Sequence, residues 1–140
     1  MSLALSIAVG ATGTKIITVG DEHTAPFVGS GRVRVLATPV MINLFEAAAL
    51  AAIEHLLPDG HQSLGTHLNI THIAATPVGM RVTATAEVTA VEGRVVKFSV
   101  SARDERDLIG KGVHDRVVVN VAKFDLRVQE KIAACKKIIR

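Results

Sequence analysis

The sequence predicts an α+β fold in which one long apolar helix packs on an antiparallel β-sheet and a second helix ends the chain. One interior segment, 38–57, has the composition and the end signals of a helix. From residue 64 onward, apolar and polar residues alternate as they do in half-buried strands. The connections between these strands are short, which favours antiparallel neighbours. A chain of 140 residues is about the size of one domain, so these elements are expected to share a single core.

The N-terminal part carries the weakest pattern. Residues 1–14 are expected to be a weakly ordered leader before a single domain over 15–140. Within that domain, 15–19 is predicted to be a short strand, and 21–31, with its proline and charged residues, a loop. Residues 1–10 are apolar but lack the positively charged start of a secretory signal, so we expect no signal peptide.

The central helix has clear start and stop signals. Thr38 is a candidate N-cap and Pro39 suits the first helical position, while the Pro-Asp-Gly segment 58–60 ends the helix. Apolar residues recur along it at helical spacing and predict the buried face: Ile42, Phe45, Ala49, Leu50, Ile53 and Leu57. Polar residues such as Asn43 and Glu54 interrupt this stretch, so a bilayer span and a membrane partner are not expected.

Four strands and a second helix are predicted after the central helix. The strands are expected at 64–75, 81–90, 94–102 and 109–123, followed by an amphipathic helix at about 126–139. In the second of these strands every other residue is Val or Ala, which predicts that one face lies on the core. Each strand is expected to pair with the next as an antiparallel meander. So small a sheet leaves an exposed edge, and dimerisation would cover it.

Glu46 is the first candidate for chemistry. It lies within the apolar stripe of the helix, four residues after Ile42 and four before Leu50. A buried carboxylate is costly unless it is paired or protonated, and burial makes carboxylates more useful as bases or nucleophiles. Two interpretations stay open: the stripe is interrupted at Glu46 and the side chain reaches water, or the carboxylate is functional.

His72 and Thr38 are the other candidates. His72 shares the strand parity of Leu68 and Ile70, so it is expected to point toward the core. There it is either a satisfied core residue or an acid–base partner of Glu46. Thr38 is either only an N-cap or part of a site in which N–H groups at the helix start bind a carbonyl oxygen. Eight residues of helix rise about 12 Å, so Thr38 and Glu46 reach one carbonyl only if the first turn is irregular or the site spans a dimer.

Composition argues against several other classes of function. The chain has four Phe and no Trp or Tyr, so platforms for stacking bases are not evident and no nucleic-acid partner is expected. The histidines lack the spacing of metal motifs, and no Gly-rich phosphate loop or GxSxG elbow occurs, so neither a metal site nor a cofactor is expected. Cys135 is the single cysteine and excludes an internal disulfide, in keeping with a cytoplasmic location.

With Thr38, Glu46 and His72 in view, the chain resembles the fluoroacetyl-CoA thioesterase group of the hotdog-fold thioesterases. The resemblance covers about 15–132. It is carried by Leu36-Ala37-Thr38, Leu44-Phe45-Glu46, Ser63-Leu64-Gly65-Thr66, Thr71-His72-Ile73-Ala74-Ala75-Thr76-Pro77 and Gly112-Val113-His114-Asp115-Arg116. It implies a hotdog fold, in which the sheet wraps the central helix, and a homodimer whose catalytic set consists of the three residues named first.

The resemblance also implies binding roles for three residues. Gly65 is expected beside the thioester and Arg116 near the coenzyme A part of the substrate. The segment before the helix is shorter than in the fluoroacetyl-CoA enzyme, whose aromatic residues there form a lid, and only Phe27 could cover an acyl group here. The resemblance thus supports thioester hydrolysis better than it supports selectivity for fluoroacetyl.

The function implied by the resemblance is hydrolysis of a short-chain or small substituted acyl-CoA, with coenzyme A as part of the substrate and no separate cofactor. One alternative is an enoyl-CoA hydratase of the same fold, although no Asp and His pair is placed before the helix for that chemistry. Another is a module that binds acyl-CoA without turnover. The sequence leaves open the identity of the acyl group and whether dimers pair into tetramers.

Overall fold

The structure is a computed structural model that describes residues 5–139, with side chains described up to residue 136. Its elements, in chain order, are β1 Thr12–Thr18, α1 Ala25–Val28, α2 Thr38–Ile53, β2 His61–His72, β3 Arg81–Glu92, β4 Val95–Arg103, β5 Leu108–Asn120 and α3 Val121–Ile139. Short 3-10 turns, Asp21–His23 and Glu54–Leu56, precede α1 and follow α2. The predicted α+β architecture with one long interior helix is confirmed.

The strands form one antiparallel sheet in the order β1-β3-β4-β5-β2. β3, β4 and β5 pair in sequence as predicted, but β2 pairs with β5, from His61 opposite Asn120 to His72 opposite Gly110. The predicted pairing of β2 with β3 is therefore wrong. The connection 73–80 reaches about 26 Å when extended, whereas three strand spacings amount to about 14 Å, so it can carry the chain across the sheet. β1 and β2 are consequently the two edges.

The core lies between α2 and the inner face of the sheet. On β3 and β4 alternate residues are buried, which confirms the period of two: Val82, Ala84, Ala86, Val88, Val96, Phe98, Val100 and Ala102. The helix contributes Met41, Leu44, Phe45, Ala48, Ala49, Ala52 and Ile53. Three residues of the predicted stripe belong to this set, whereas Ile42, Glu46 and Leu50 lie on its half-buried margin.

The buried face of α2 includes Ala48 and Ala52 because β1 crosses the helix there. A Cβ at Gly13 would lie 2.1 Å from the carbonyl oxygen of Ala48 and 2.4 Å from the amide nitrogen of Ala52, so only glycine allows this approach. A helix face of small residues is a weak hydrophobic signal. The spacing of the large residues alone therefore placed Glu46 too far inward.

The two ends of the chain differ from the predictions in their bounds. β1 begins at Thr12, inside the expected leader, and Ile7 packs against the core, so the part of 1–14 that the structure describes is tied to the domain. Residues 1–4 lie outside the described residues. α3 starts at Val121 rather than near 126, because it continues directly from β5. By length and composition the stretch Thr38–Leu56 could cross a bilayer, and its buried residues here pack on the sheet.

Candidate active site

The catalytic candidates fall into two clusters, one at the start of α2 and one near its middle. In the first, Thr38 Oγ1 and His72 Nδ1 are 2.7 Å apart and hydrogen-bonded. Thr38 is the first helical residue and Ala37 is the N-cap, which makes no side-chain capping bond. The prediction that Thr38 caps the helix is therefore wrong, because its hydroxyl is bonded to a residue of the sheet. We call Thr38 and His72 the threonine–histidine pair.

His72 has one ring nitrogen without a protein partner. The residue ends β2, and its side chain lies half-buried at the start of α2 rather than deep in the core. Nε2 is buried and has no hydrogen-bond partner in the part of the chain that the structure describes. Burial lowers the pKa of the imidazole from its ordinary value, which favours the neutral ring at neutral pH. Such a ring can accept or deliver a proton at Nε2.

A cavity of about 380 Å³ opens beside the threonine–histidine pair. Both residues of the pair line it, together with Val33, Val35 and Leu36. This volume is at the small end of the range for ligand sites. Phe27, the one aromatic residue expected to cover an acyl group, is not among the lining residues and is 69% exposed. Within one chain, the expected aromatic cover is therefore not formed.

The loop before α2 is pinned at its base. The Ala25 N–H donates to the Val35 carbonyl at 3.0 Å, and Arg34 forms an ion pair with Asp21. These contacts join the two sides of the loop just before the chain enters the helix at Thr38. These contacts therefore hold Val33 and Val35, which line the cavity, in position relative to the Thr38 hydroxyl.

In the second cluster, Glu46 forms an ion pair with Arg116. Arg116 Nη1 donates to Glu46 Oε2 at 3.3 Å. The Glu46 side chain is 38% exposed, whereas that of Arg116 is 5% exposed. The carboxylate therefore reaches the surface, as one of the two interpretations predicts, and it is also paired with a buried cation, while a catalytic role for it stays a prediction.

Gly65 leaves the space that the Glu46 carboxylate occupies. A Cβ at Gly65 would lie 2.6 Å from Glu46 Oε2, closer than real Cβ contacts come. The pairing of β2 with β5 shifts register between Gly65 and His67, and this bulge changes the course of the strand beside the carboxylate. Gly65 therefore lies against Glu46, and its expected place beside the thioester stays a prediction.

Arg116, which is expected near coenzyme A, is buried and bonded to other protein groups. Its Nε donates to Ser63 Oγ at 2.8 Å and its Nη2 to the Ser63 carbonyl at 3.1 Å. Ser63 Oγ in turn donates to Glu54 Oε1 at 2.7 Å. A buried guanidinium bonded in this way faces the Glu46 carboxylate, and the expected place of Arg116 near coenzyme A stays a prediction.

His114 completes the second cluster, and its sequence pattern alone did not predict a role for it. It is fully buried, with Nδ1 2.8 Å from the His67 carbonyl and Nε2 3.1 Å from Arg116 Nη1. A signal was present, because His114 and Arg116 share the strand parity of the buried Val118. Two polar side chains in a row on the inner face of a strand indicate a site. We call the following residues the glutamate–arginine cluster: Glu46, Ser63, Gly65, His114 and Arg116.

The two clusters are held apart within one chain. Thr38 and Glu46 are separated by regular helix with a rise of about 12 Å. Thr38 meets the end of β2 at His72 and Glu46 meets its middle at Gly65, so the strand passes the helix in the opposite direction. In the described part of the chain, no hydrogen bond joins Glu46 to either member of the pair.

In sequence, the chain is similar to fluoroacetyl-CoA thioesterases. The family model of the fluoroacetyl-CoA-specific thioesterase matches residues 19–122. A fluoroacetyl-CoA thioesterase from Streptantibioticus cattleyicolor is 46% identical over 100 residues, which make up 71% of this chain and 72% of that protein. The residues matched by the family model include the segments that carry the two clusters.

Comparison with solved structures confirms the hotdog fold. The structure of the fluoroacetyl-CoA thioesterase FlK superposes with a TM-score of 0.85 at 38% identity, covering 90% of this chain and 98% of that one. A thioesterase superfamily member from Thermus thermophilus gives a TM-score of 0.84 at 32% identity, covering 91% and 97%. A hot-dog-like protein from Thermanaerovibrio acidaminovorans gives 0.82 at 26% identity, covering 89% and 93%.

Proposed function

The chain belongs to the fluoroacetyl-CoA-specific thioesterase family and is an acyl-CoA thioesterase, and we propose that Glu46, His72 and Thr38 carry out the hydrolysis. The observation that carries this assignment is the position of the Glu46 carboxylate. It is partly exposed, it accepts a hydrogen bond from the buried Arg116 at 3.3 Å, and the missing side chain at Gly65 leaves it room. A carboxylate that is held in this way and open to a ligand suits a nucleophile or a general base.

The reaction begins at the carbonyl carbon of the thioester. Glu46 either attacks this carbon and forms a mixed anhydride, or takes a proton from a water molecule that attacks it. In both routes the carbonyl electron pair moves onto oxygen, and its return breaks the C–S bond and releases the thiolate of coenzyme A. In the first route, water then hydrolyses the anhydride. The products of both routes are the free acid and coenzyme A.

The threonine–histidine pair transfers the proton that the leaving thiolate receives. His72 Nε2, which has no partner in the described part of the chain, takes up the proton that the attacking water loses and passes it to the departing thiolate, so that the ring ends in its neutral form. Thr38 holds the ring through Nδ1. Backbone N–H groups at the start of α2 or at Gly65 stabilise the oxyanion, since both places offer donors close to a reacting group.

The two clusters meet in this proposal across a homodimer. β2 is an edge strand whose outer backbone groups are free to pair with a second copy. If two β2 strands pair antiparallel about a two-fold axis between residues 68 and 69, His72 of one copy lies opposite Gly65 of the other. The threonine–histidine pair of each chain then adjoins the glutamate–arginine cluster of its partner. The separation of the clusters within one chain supports this arrangement.

The substrate in this proposal carries a short or small substituted acyl group. Val33, Val35 and Leu36 line the open cavity beside the threonine–histidine pair, and these apolar residues support a small apolar chain. The relatives are fluoroacetyl-CoA thioesterases, but Phe27 lies outside the cavity lining here. We therefore expect only weak selectivity between acetyl-CoA and fluoroacetyl-CoA.

The remaining expectations concern location and partners. The proposal places the enzyme in the cytoplasm, without a cofactor of its own and without a nucleic-acid or membrane partner. The single Cys135 and the near absence of aromatic residues support this. Among the residues that the structure describes, no group of three or more His, Cys, Asp or Glu side chains could hold a metal ion.

The test is thiol release from a panel of acyl-CoAs: acetyl, fluoroacetyl, propionyl, a longer chain and an aromatic acid. Wild type is compared with Glu46→Gln and His72→Ala, and with Glu87→Gln, an exposed carboxylate on β3, as the matched control. We expect kcat to fall about a thousandfold in Glu46→Gln and about a hundredfold in His72→Ala, while Glu87→Gln keeps wild-type activity. Full activity in Glu46→Gln would contradict the assignment, and no thiol release from any substrate would favour a binding module.

A further inference from the structure

We propose that His114 is a positioning residue for the hydrolysis, which acts through Arg116 to hold the Glu46 carboxylate. The inference rests on the proposed role of Glu46 as the reacting carboxylate. His114 is fully buried on β5, at the closed side of the glutamate–arginine cluster. It does not touch Glu46 by a hydrogen bond, so any effect on the carboxylate passes through the guanidinium.

The hydrogen bonds of His114 determine which ring nitrogen carries the proton. The partner of Nδ1 is the His67 carbonyl oxygen, which can only accept, so Nδ1 carries the hydrogen and donates it at 2.8 Å. Nε2 of the neutral ring then has a lone pair, which accepts from Arg116 Nη1 at 3.1 Å. The pKa of His114 is lowered from its ordinary value, chiefly by burial, which agrees with a neutral ring.

The bond from Arg116 to His114 directs the guanidinium at Glu46. Nη1 has two hydrogens: one is donated to His114 Nε2 and the other to Glu46 Oε2. The remaining side of the guanidinium donates to Ser63, from Nε and from Nη2. With acceptors on both sides, the planar group has one orientation, and its free Nη1 hydrogen points to the carboxylate.

The ring of His114 is itself held in place. It stacks on Phe98 with centroids 5.9 Å apart and an angle of 24° between the planes. The stacking and the bond to the His67 carbonyl leave the ring no second orientation that keeps both contacts. A chain of fixed groups therefore runs from the core strand β4 to the reactive carboxylate.

The test compares two substitutions of His114 by steady-state kinetics with acetyl-CoA and fluoroacetyl-CoA. His114→Phe keeps the ring shape but removes both hydrogen bonds. His114→Gln retains a side-chain acceptor that can reach Arg116 Nη1. Ile109→Val, a buried substitution elsewhere on β5, is the control for a general loss of stability.

We expect kcat to fall about tenfold to a hundredfold in His114→Phe with KM nearly unchanged, because the loss is of carboxylate position rather than of binding. His114→Gln is expected to recover most of the kcat, and Ile109→Val to lower the melting temperature without lowering kcat. In an Arg116→Lys background, His114→Phe should cause little further loss, since the two residues act in series.

Two results would overturn the inference: wild-type kcat in His114→Phe, or losses that multiply in the double variant with Arg116→Lys. Glu46→Gln is measured beside these variants to keep the two proposals separate. If Glu46→Gln is inactive while His114→Phe is fully active, only the role of His114 fails. If Glu46→Gln is fully active, the proposed function of the site fails first.

Discussion

The two clusters of the site differ in how firmly their groups are held. The threonine–histidine pair has one hydrogen bond, lies beside an open cavity, and leaves His72 Nε2 without a partner in the described chain. The glutamate–arginine cluster joins a carboxylate, a guanidinium, an imidazole and a hydroxyl through bonds of 2.8 to 3.3 Å. Three of its members, Ser63, His114 and Arg116, are almost completely buried.

The difference matches what each cluster has to do in the proposed mechanism. A carboxylate that attacks or activates water must keep one position, because a misplacement of about 1 Å can cost a factor of about one hundred in rate. A histidine that passes a proton to a departing thiolate needs a free nitrogen and access to the substrate. The glutamate–arginine cluster thus positions the reacting carboxylate, and the threonine–histidine pair transfers the proton.

The largest expected effect tests whether the two clusters of one site come from different chains. Glu46→Gln and His72→Ala are produced together with different affinity tags, and the heterodimer is isolated by two successive purifications. Each heterodimer then has one site with both residues intact and one with neither. We expect about half of the wild-type kcat per dimer, although each parent homodimer is almost inactive.

The control heterodimer pairs a wild-type chain with the double variant Glu46→Gln/His72→Ala. If the site spans two chains, both of its sites lack one residue and thiol release stays near that of the parents. If the site lies within one chain, this control retains about half of the activity and the first heterodimer has almost none. The two heterodimers therefore give opposite results under the two arrangements.

The next effect tests the firmness of the glutamate–arginine cluster. In Gly65→Ala the new Cβ meets Glu46 Oε2, the far end of a flexible side chain, so the carboxylate must move while the backbone stays in place. We expect kcat to fall by a factor of up to about one hundred, with little change in the melting temperature. Thiol release and thermal unfolding of the same preparation measure both quantities.

Gly13→Ala is the matched comparison for that variant. Its Cβ would meet the backbone of α2 at Ala48 and Ala52, which cannot move away without displacing the helix. A large drop in melting temperature is expected there, in contrast to Gly65→Ala. If Gly65→Ala retains full kcat, the carboxylate tolerates displacement and the cluster is less firm than its contacts indicate.

Much of the threonine–histidine pair could be predicted from the sequence, because the patterns that indicate it are local. The helix start at 38, the inward parity of His72 and the distance between Thr38 and Glu46 all follow from fixed periods along the chain. The bond between Thr38 and His72 did not follow, since an N-terminal threonine of a helix has the same pattern whether it caps the helix or binds a partner.

The glutamate–arginine cluster depends on a strand pairing that no local sequence pattern indicates. Ser63 and Arg116 meet because β2 pairs with β5 across the sheet, and the expected meander would have put β2 beside β3. The alternation of His114 and Arg116 on an inner face was visible in the sequence. The identity of the carboxylate that pairs with Arg116 was not visible in the sequence, because tertiary packing determines it.

The smallest expected effect compares the two clusters through the pH dependence of stability. Burial is the chief cause that lowers the pKa of both His72 and His114 below the ordinary value of 6.5. The unfolded chain therefore takes up protons as the pH falls through about 6.5, while the folded chain does not until a lower pH. The stability that these neutral rings contribute is present above pH 6.5 and is lost as the pH falls toward their folded pKa values.

His114 is expected to account for more of this loss than His72, because its ring is fully buried and faces the Arg116 guanidinium, and both lower its pKa, whereas Glu46 and Asp115 act in the opposite direction. The melting temperature is measured from pH 8 to pH 5 for wild type, His114→Gln and His72→Gln. We expect His114→Gln to be less stable than wild type at pH 8 but to lose less on acidification, and His72→Gln to show the same change to a smaller degree. Parallel curves for wild type and His114→Gln would mean that folding leaves the pKa of His114 unchanged, and that the glutamate–arginine cluster does not disfavour the protonated ring.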